Sequence, residues 1–185
     1  MNSSNSPDLD ALLQLFYDRP DDELGSFQEV SASELPELER ILLDHDQHMT
    51  LTIEAHHASP VNVRVLDVHT TETHYARKIL LSCESDGRTV QFGIVRLANV
   101  VLEPEVQSQI TSQSAPLGRI LIQHNVLRTV KLLSLWKITV GVELARVFQA
   151  EPESSCYGRT ALIYCNGLPA VELLEIVRPM KNFEP

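Results

Sequence analysis

Cys156-Tyr157-Gly158-Arg159-Thr160-Ala161-Leu162-Ile163-Tyr164-Cys165-Asn166-Gly167-Leu168-Pro169-Ala170-Val171-Glu172-Leu173-Leu174-Glu175-Ile176-Val177 is the stretch whose reading decides the fold. Its middle, Asn166-Gly167, separates two runs of apolar and β-branched residues, the strongest short-range sign of a two-residue type I′ hairpin. Counting outward from that turn sets Cys165 against Leu168, Leu162 against Val171, Thr160 against Leu173 and Gly158 against Glu175. Side chains alternate along a strand, so one face then carries Gly158, Thr160, Leu162, Val171, Leu173 and Glu175. A carboxylate points with apolar side chains, and the glycine opposite it leaves a space in which a ligand fits. The same count puts Arg159 on the outer face, opposite Leu174, in a cross-strand ion pair with Glu172.

Upstream, the periodicity divides the chain in two. Residues 1–32 read as an N-terminal extension: Ser6-Pro7 starts a short helix with Leu9, Leu12, Leu13 and Phe16 on one side, and residues 20–32 are a linker. Residues 33–185 read as one domain. Ser33, Glu34 and Glu37 open a helix whose apolar face is Leu35, Leu38, Ile41 and Leu42, ending near Asp44. From Met49 the period becomes two, giving strands over residues 50–57, 61–68 and 73–83, then a turn at Ser85-Asp86-Gly87 into a strand over residues 89–101. Glu103-Pro104 and Pro116 begin two further helices, and the first amides of the second, at Leu117 and Gly118, are donors without intrahelical acceptors. Residues 126–143 read as a strand or bend. The sum is an α+β domain: an antiparallel sheet of about six strands with helices on one side.

Composition narrows the function. A chain of 185 residues with 43% apolar residues and a net charge of −10 builds one core and shows no basic stripe for nucleic acid or anionic lipid. No 18-residue apolar run supports a membrane span and no signal pattern opens the chain, so a cytoplasmic location is expected. Three cysteines, Cys83, Cys156 and Cys165, lack a Cys-x-x-Cys pattern and read as reduced. His45 and His48 are three apart and His56 and His57 are adjacent, but no His-Glu-x-x-His or His/Cys quartet occurs, so no metal is expected. Arg77, in phase with Tyr75, Ile79 and Leu81, and Arg96, in phase with Phe92 and Ile94, stand out, since alternation puts both on apolar faces. Two guanidinium groups, Glu175 and a helix start suit a small anionic, partly apolar ligand.

These pieces, in this order, resemble the chorismate pyruvate-lyase family over about residues 35–177. The resemblance rests on Leu42-Leu43-Asp44 and His48-Met49-Thr50, Tyr75-Ala76-Arg77-Lys78-Ile79-Leu80-Leu81, Phe92-Gly93, Ala115-Pro116-Leu117-Gly118-Arg119-Ile120-Leu121, and Tyr157-Gly158-Arg159 leading through Gly167 and Pro169 to Glu175. It implies helical flaps closing over a buried ligand on an antiparallel sheet, and a carbon–oxygen lyase that removes pyruvate from chorismate to give 4-hydroxybenzoate without cofactor or metal. By resemblance Met49, Arg77, Leu117 with Gly118, and Glu175 contact the substrate, Arg77 holding a carboxylate and Glu175 acting as general acid with a pKa raised by an apolar face. Arg96 joins them if a bulge turns it inward, because the family's pattern after Phe-Gly is offset here by one residue. A non-catalytic domain of the same fold binding an aromatic acid, or a member giving another product, are the alternatives; residues 1–33 are too short and acidic for a winged helix-turn-helix. Oligomeric state stays open.

Overall fold

The computed structural model describes residues 9–126 and 128–180. Seven strands form one antiparallel sheet: β1 (Gly25–Val30), β2 (Val61–Thr70), β3 (His74–Cys83), β4 (Thr89–Ala98), β5 (Arg128–Val140), β6 (Ser155–Cys165) and β7 (Leu168–Val177), in the spatial order β1-β5-β6-β7-β4-β3-β2. The α+β class holds, with one strand more than expected. Hairpins at Asp86-Gly87 and Asn166-Gly167 join β3 to β4 and β6 to β7, and positive φ at Asn166 (53°) and Gly167 (81°) fits the type I′ turn.

Helices cover both faces of the sheet, not one. On the first face lie α3 (Glu37–Leu43), α4 (Met49–His57), α5 (Pro104–Thr111) and α6 (Leu117–Gln123), packed on Ile79, Leu81, Val95, Ala161, Ile163 and Leu173. On the second lie α1 (Leu9–Leu13) and α7 (Val142–Phe148), packed on Leu80, Phe92, Ile94, Leu174 and Ile176. A sheet buried on both sides reads as nearly continuous apolar sequence, as β4 does from Val90 to Val95.

The final hairpin departs from the sequence count by one residue. Cys165 faces Leu168 and Tyr164 faces Pro169, but Ile163 then faces Val171, leaving Ala170 as an extra residue in β7. Beyond that bulge Leu162 faces Glu172, Thr160 faces Leu174 and Arg159 faces Glu175. Gly158 stands against Ile176 and opens no space: an added Cβ would lie 2.8 Å from the Glu175 carbonyl oxygen and 3.1 Å from Ile176 Cγ1.

Three other expectations change. The linker at residues 20–32 contains α2 (Pro20–Glu23) and β1, which pairs with β5, so these residues belong to the sheet domain. Gly25 at φ 130° lets β1 pass the Thr139 carbonyl oxygen, which a Cβ would approach to 2.0 Å. Residues 50–57, read as a strand from their alternating threonines, form α4, whose buried Met49, Thr50 and Ile53 keep helical spacing. In α3 the buried apolar residues are Leu42 and Leu43, while Leu38 and Ile41 are exposed. The Ser6-Pro7 helix start lies outside the described residues.

Because Gly158 touches backbone, Gly158→Ala should destabilise the domain by about 1–3 kcal/mol. Urea unfolding of the two proteins measures this, and an unchanged midpoint would show that the β6–β7 contact yields.

Candidate functional site

Between the first sheet face and its helices runs a narrow cleft with a cavity volume of about 30 Å³. Ile79, Gln91, Gly93 and Val95 from β3 and β4, with Arg159, Ile163, Leu173 and Glu175 from β6 and β7, form its floor. Its roof is two helix starts: Gln47 to Thr50 entering α4, and Pro116 to Gly118 entering α6. The two starts meet at Gly118, where a Cβ would stand 3.1 Å from Thr50 Oγ1 and 3.4 Å from His48 Nδ1. Farther along the same helices, Arg119 forms an ion pair with Glu54. Neither helix has a side-chain cap, so their first backbone amides are not used by one.

Each half of the roof is tied to the sheet by a buried arginine. Arg159, fully buried, donates from Nε to Glu175 Oε2 at 2.8 Å, from Nη1 to the His45 carbonyl at 2.7 Å and the Leu43 carbonyl at 3.4 Å, and from Nη2 to the Gln47 carbonyl at 3.1 Å. It thereby holds the whole α3–α4 loop. A guanidinium has five N–H groups, so one Nη2 hydrogen is left for the cleft that Arg159 lines. Arg77, also fully buried, donates to the Ile110 carbonyl at 3.2 Å and the Ala115 carbonyl at 3.4 Å, a cation at the end of α5 that fixes the α5–α6 turn. Burial holds its pKa below the usual guanidinium value, with neighbouring Tyr75 acting the other way. Arg77 Nε and the Tyr75 hydroxyl meet no partner at hydrogen-bonding geometry.

His48 sits where the two helix starts touch. Arg128 Nε donates to its Nε2 at 2.6 Å, which makes that nitrogen the acceptor and puts the ring proton on Nδ1. Burial first, then Arg128 and Arg159, lower its pKa from 6.5 to about 4, so the ring is neutral at pH 7.

The structure brings Met49, Leu117, Gly118 and Glu175 together around the cleft. Arg77 shares their sheet face but stands behind the α5–α6 turn, where Nη1 and Nη2 each donate to a main-chain carbonyl and Nε has no partner. Arg96 points to the opposite face, where Nη2 donates to Glu172 Oε1 at 2.7 Å; no bulge interrupts β4 near it. Glu172 thus pairs with Arg96 rather than Arg159. Sequence reasoning missed Arg159, Gln91 and His48 as cleft residues. Pro169 was the available signal for the first, since proline inside a hairpin strand marks a bulge. A lone glutamine in an otherwise apolar strand was the signal for the second.

Two outcomes follow for this site. Arg159→Met should cost about 3–5 kcal/mol, because Glu175 is left buried without its counter-charge, and the double variant with Glu175→Leu should recover much of that. Denaturant titration of the single and double variants checks it, and a single variant as stable as the parent refutes the staple. His48 protonates more readily unfolded (near 6.5) than folded (about 4), so stability should be complete above pH 6.5 and fall as the pH drops toward 4. His48→Gln, which keeps an acceptor for Arg128, should flatten that fall in part, since burial also lowers His45 and His57. Unfolding temperatures across pH 4–8 measure the slope.

No protein-family model matches the chain, and no curated protein matches it by sequence. Solved structures do match in fold. The effector domain of PhnF from Mycobacterium smegmatis aligns with a TM-score of 0.54 at 11% identity, over 71% of this chain and 88% of that one. PhnF from the same organism gives 0.53 at 10% identity, over 71% and 64%. The possible transcriptional regulator YydK from Bacillus subtilis subsp. subtilis str. 168 gives 0.50 at 14% identity, over 63% and 58%. The chain thus spans somewhat under two thirds of the two longer proteins. These effector domains share the chorismate lyase-like fold, and the lyase family itself is not among the matches described. The expectation of a chorismate pyruvate-lyase in aromatic acid biosynthesis is therefore corrected on two grounds. Its fold belongs equally to regulator domains. And the carboxylate taken for a general acid in an apolar setting lies 2.8 Å from a guanidinium nitrogen.

Proposed function

We propose that this chain is a small-molecule-binding sensory domain with a regulatory role. One observation carries the reading: a cleft whose roof segments are fixed from beneath by Arg159 and Arg77, while the carboxylate on its floor, Glu175, is committed to an ion pair rather than poised for chemistry. Glu175 is held by Arg159. The thiols of Cys156 and Cys165 are pushed up by burial to about 12 and about 11, away from their reactive form. Among the described residues no three His, Cys, Asp or Glu side chains gather as a metal site. The fold shared with effector domains of regulators agrees with this reading.

The ligand is a small organic anion with a partly apolar body. Its body lies on Ile79, Val95, Ile163 and Leu173, and its anionic end meets the uncapped start of α4 at Met49 and Thr50. Leu117, Gly118 and Glu175 complete the contacts. Arg77 acts through the α5–α6 turn, and Arg96 takes no part. In a chain with a net charge of −10, attraction is local: Arg77 and Arg128 carry charge near the cleft without a carboxylate partner among the described residues. Among the described residues no helix is long and apolar enough to cross a membrane. A cytoplasmic location belongs to the same proposal.

Titrating the protein with small carboxylates and organic phosphates, followed by thermal unfolding and calorimetry, tests it. A binder at a hundredfold excess over its Kd should raise the unfolding temperature by about 5–10 °C and be recovered chemically unchanged. Leu173→Trp, which fills the cleft floor, should abolish the shift. Conversion of the bound molecule, or a shift that survives Leu173→Trp, would sink the reading.

A further inference from the structure

On the second sheet face α1 and α2 meet β1 and β5 around an open cavity of about 380 Å³. Phe27 of β1 and Trp136 of β5 form its aromatic side, their rings at 78° with centroids 6.3 Å apart, and Leu9 and Leu13 of α1 form its aliphatic side. The β5 bulge sets which residues arrive there: Leu132 faces Ala161 and Ser134 faces Thr160, so Leu133 is extra and Ser134 and Trp136 share one face. The Trp136 indole nitrogen donates to Thr160 Oγ1 at 3.2 Å. With its one donor used, the ring offers the cavity π surface alone. The polar lining is rich in acceptors: the Ser134 hydroxyl and the exposed carboxylates Asp10 and Asp21. Glu29 adds a carboxylate directly across the β1–β5 ladder from Trp136. Among the described residues no Lys, Arg or His lines this cavity, and Asp21 has no ion pair. Arg19 lines the adjoining hollow, where it is paired with Asp22 at 3.2 Å.

We propose that this cavity is a second ligand site, separate from the cleft, for a small alkylated ammonium compound. Aromatic faces carry the negative part of the ring quadrupole, so Phe27 and Trp136 favour the same sign of charge as the carboxylates beside them. An anion is repelled by that lining, and an uncharged molecule gains nothing from it beyond apolar contact. A bare ammonium is a compact, strongly hydrated charge that keeps its water at an open site, whereas methyl groups on the nitrogen spread the charge and pack on the rings. Phe27 and Trp136 hold the cationic head, Asp21 with Asp10 balances its charge, and Leu9 and Leu13 receive its alkyl arm. A cavity of this size takes a whole small molecule.

Trp136 is the chain's single tryptophan, so its fluorescence reads this cavity directly. Tetramethylammonium, choline and butyltrimethylammonium are titrated into the wild-type protein, with 3,3-dimethylbutan-1-ol as the uncharged match for choline. The expected result is a saturable change with choline or butyltrimethylammonium, and binding of the alcohol about tenfold or more weaker than that of choline. Asp21→Asn, a change at an exposed position, should weaken the bound cation about threefold or more, and Phe27→Leu about tenfold. No saturable change with any of the three cations up to about 20 mM, or an alcohol that binds as tightly as choline, overturns the site without recourse to any variant. An affinity unmoved by both substitutions overturns it as well. The cleft as a ligand site is untouched by these outcomes.

Discussion

The Arg159–Glu175 pair is the constraint around which this domain is arranged. Taking two charges out of water costs several kcal/mol per ion, and a buried pair on its own returns little net stability. What makes the pair worth keeping is the rest of the guanidinium, whose remaining donors satisfy carbonyls of Leu43, His45 and Gln47 in a loop lying over an apolar sheet. Without those donors the His45 and Gln47 carbonyls would lose the partner that holds them, and the Leu43 carbonyl would keep only the His45 amide at 3.1 Å. On its outer side the loop is tied by Asp46 Oδ1, which accepts the Leu132 amide at 3.1 Å next to the β5 bulge. Glu175 thus sets the charge, Arg159 spreads it over main chain, and the start of α4 is fixed as a consequence.

Arg77 repeats the device on the other half of the roof with one difference. Its acceptors are the last turn of α5 and the Ala115 carbonyl, and no carboxylate balances it among the described residues. The cleft is therefore closed above by two independently anchored segments, touching at Gly118 and through Arg119–Glu54. A ligand that presses on both helix starts works against two anchors on one sheet face.

How much of this was legible in the sequence depended on whether local pattern or long-range contact decided each element. Strands β2, β3 and β4, the Asn166-Gly167 turn and the proline-led helices α5 and α6 carry their own signals and emerged where read. Strand β1 has no such signal: Gly25-Ser26-Phe27-Gln28-Glu29-Val30 is mixed, and its pairing with β5 lies more than a hundred residues away. Helix α4 misled because alternating threonines mimic a strand, whereas its burial follows contacts with α3 and α6. Met49, Leu117, Gly118 and Glu175 all line one cleft; Met49 was named through the resemblance alone, the other three also from the helix start and the hairpin face, although the register count had set Gly158 and not Arg159 against Glu175.

That one-residue difference bears directly on chemistry. With the hairpin in ideal register, Glu175 would face a glycine on an apolar surface, the setting that keeps a carboxyl protonated and suits it to donate a proton. Pro169 cannot donate to the ladder, Ala170 is squeezed out as a bulge, and every side chain from Ile163 back to Tyr157 exchanges faces relative to β7. The guanidinium of Arg159 then arrives at Glu175 and the acid becomes an anchor. The same sheet, roof and cleft can host either role, so the functional reading of this fold hangs on the partner of a single carboxylate rather than on topology.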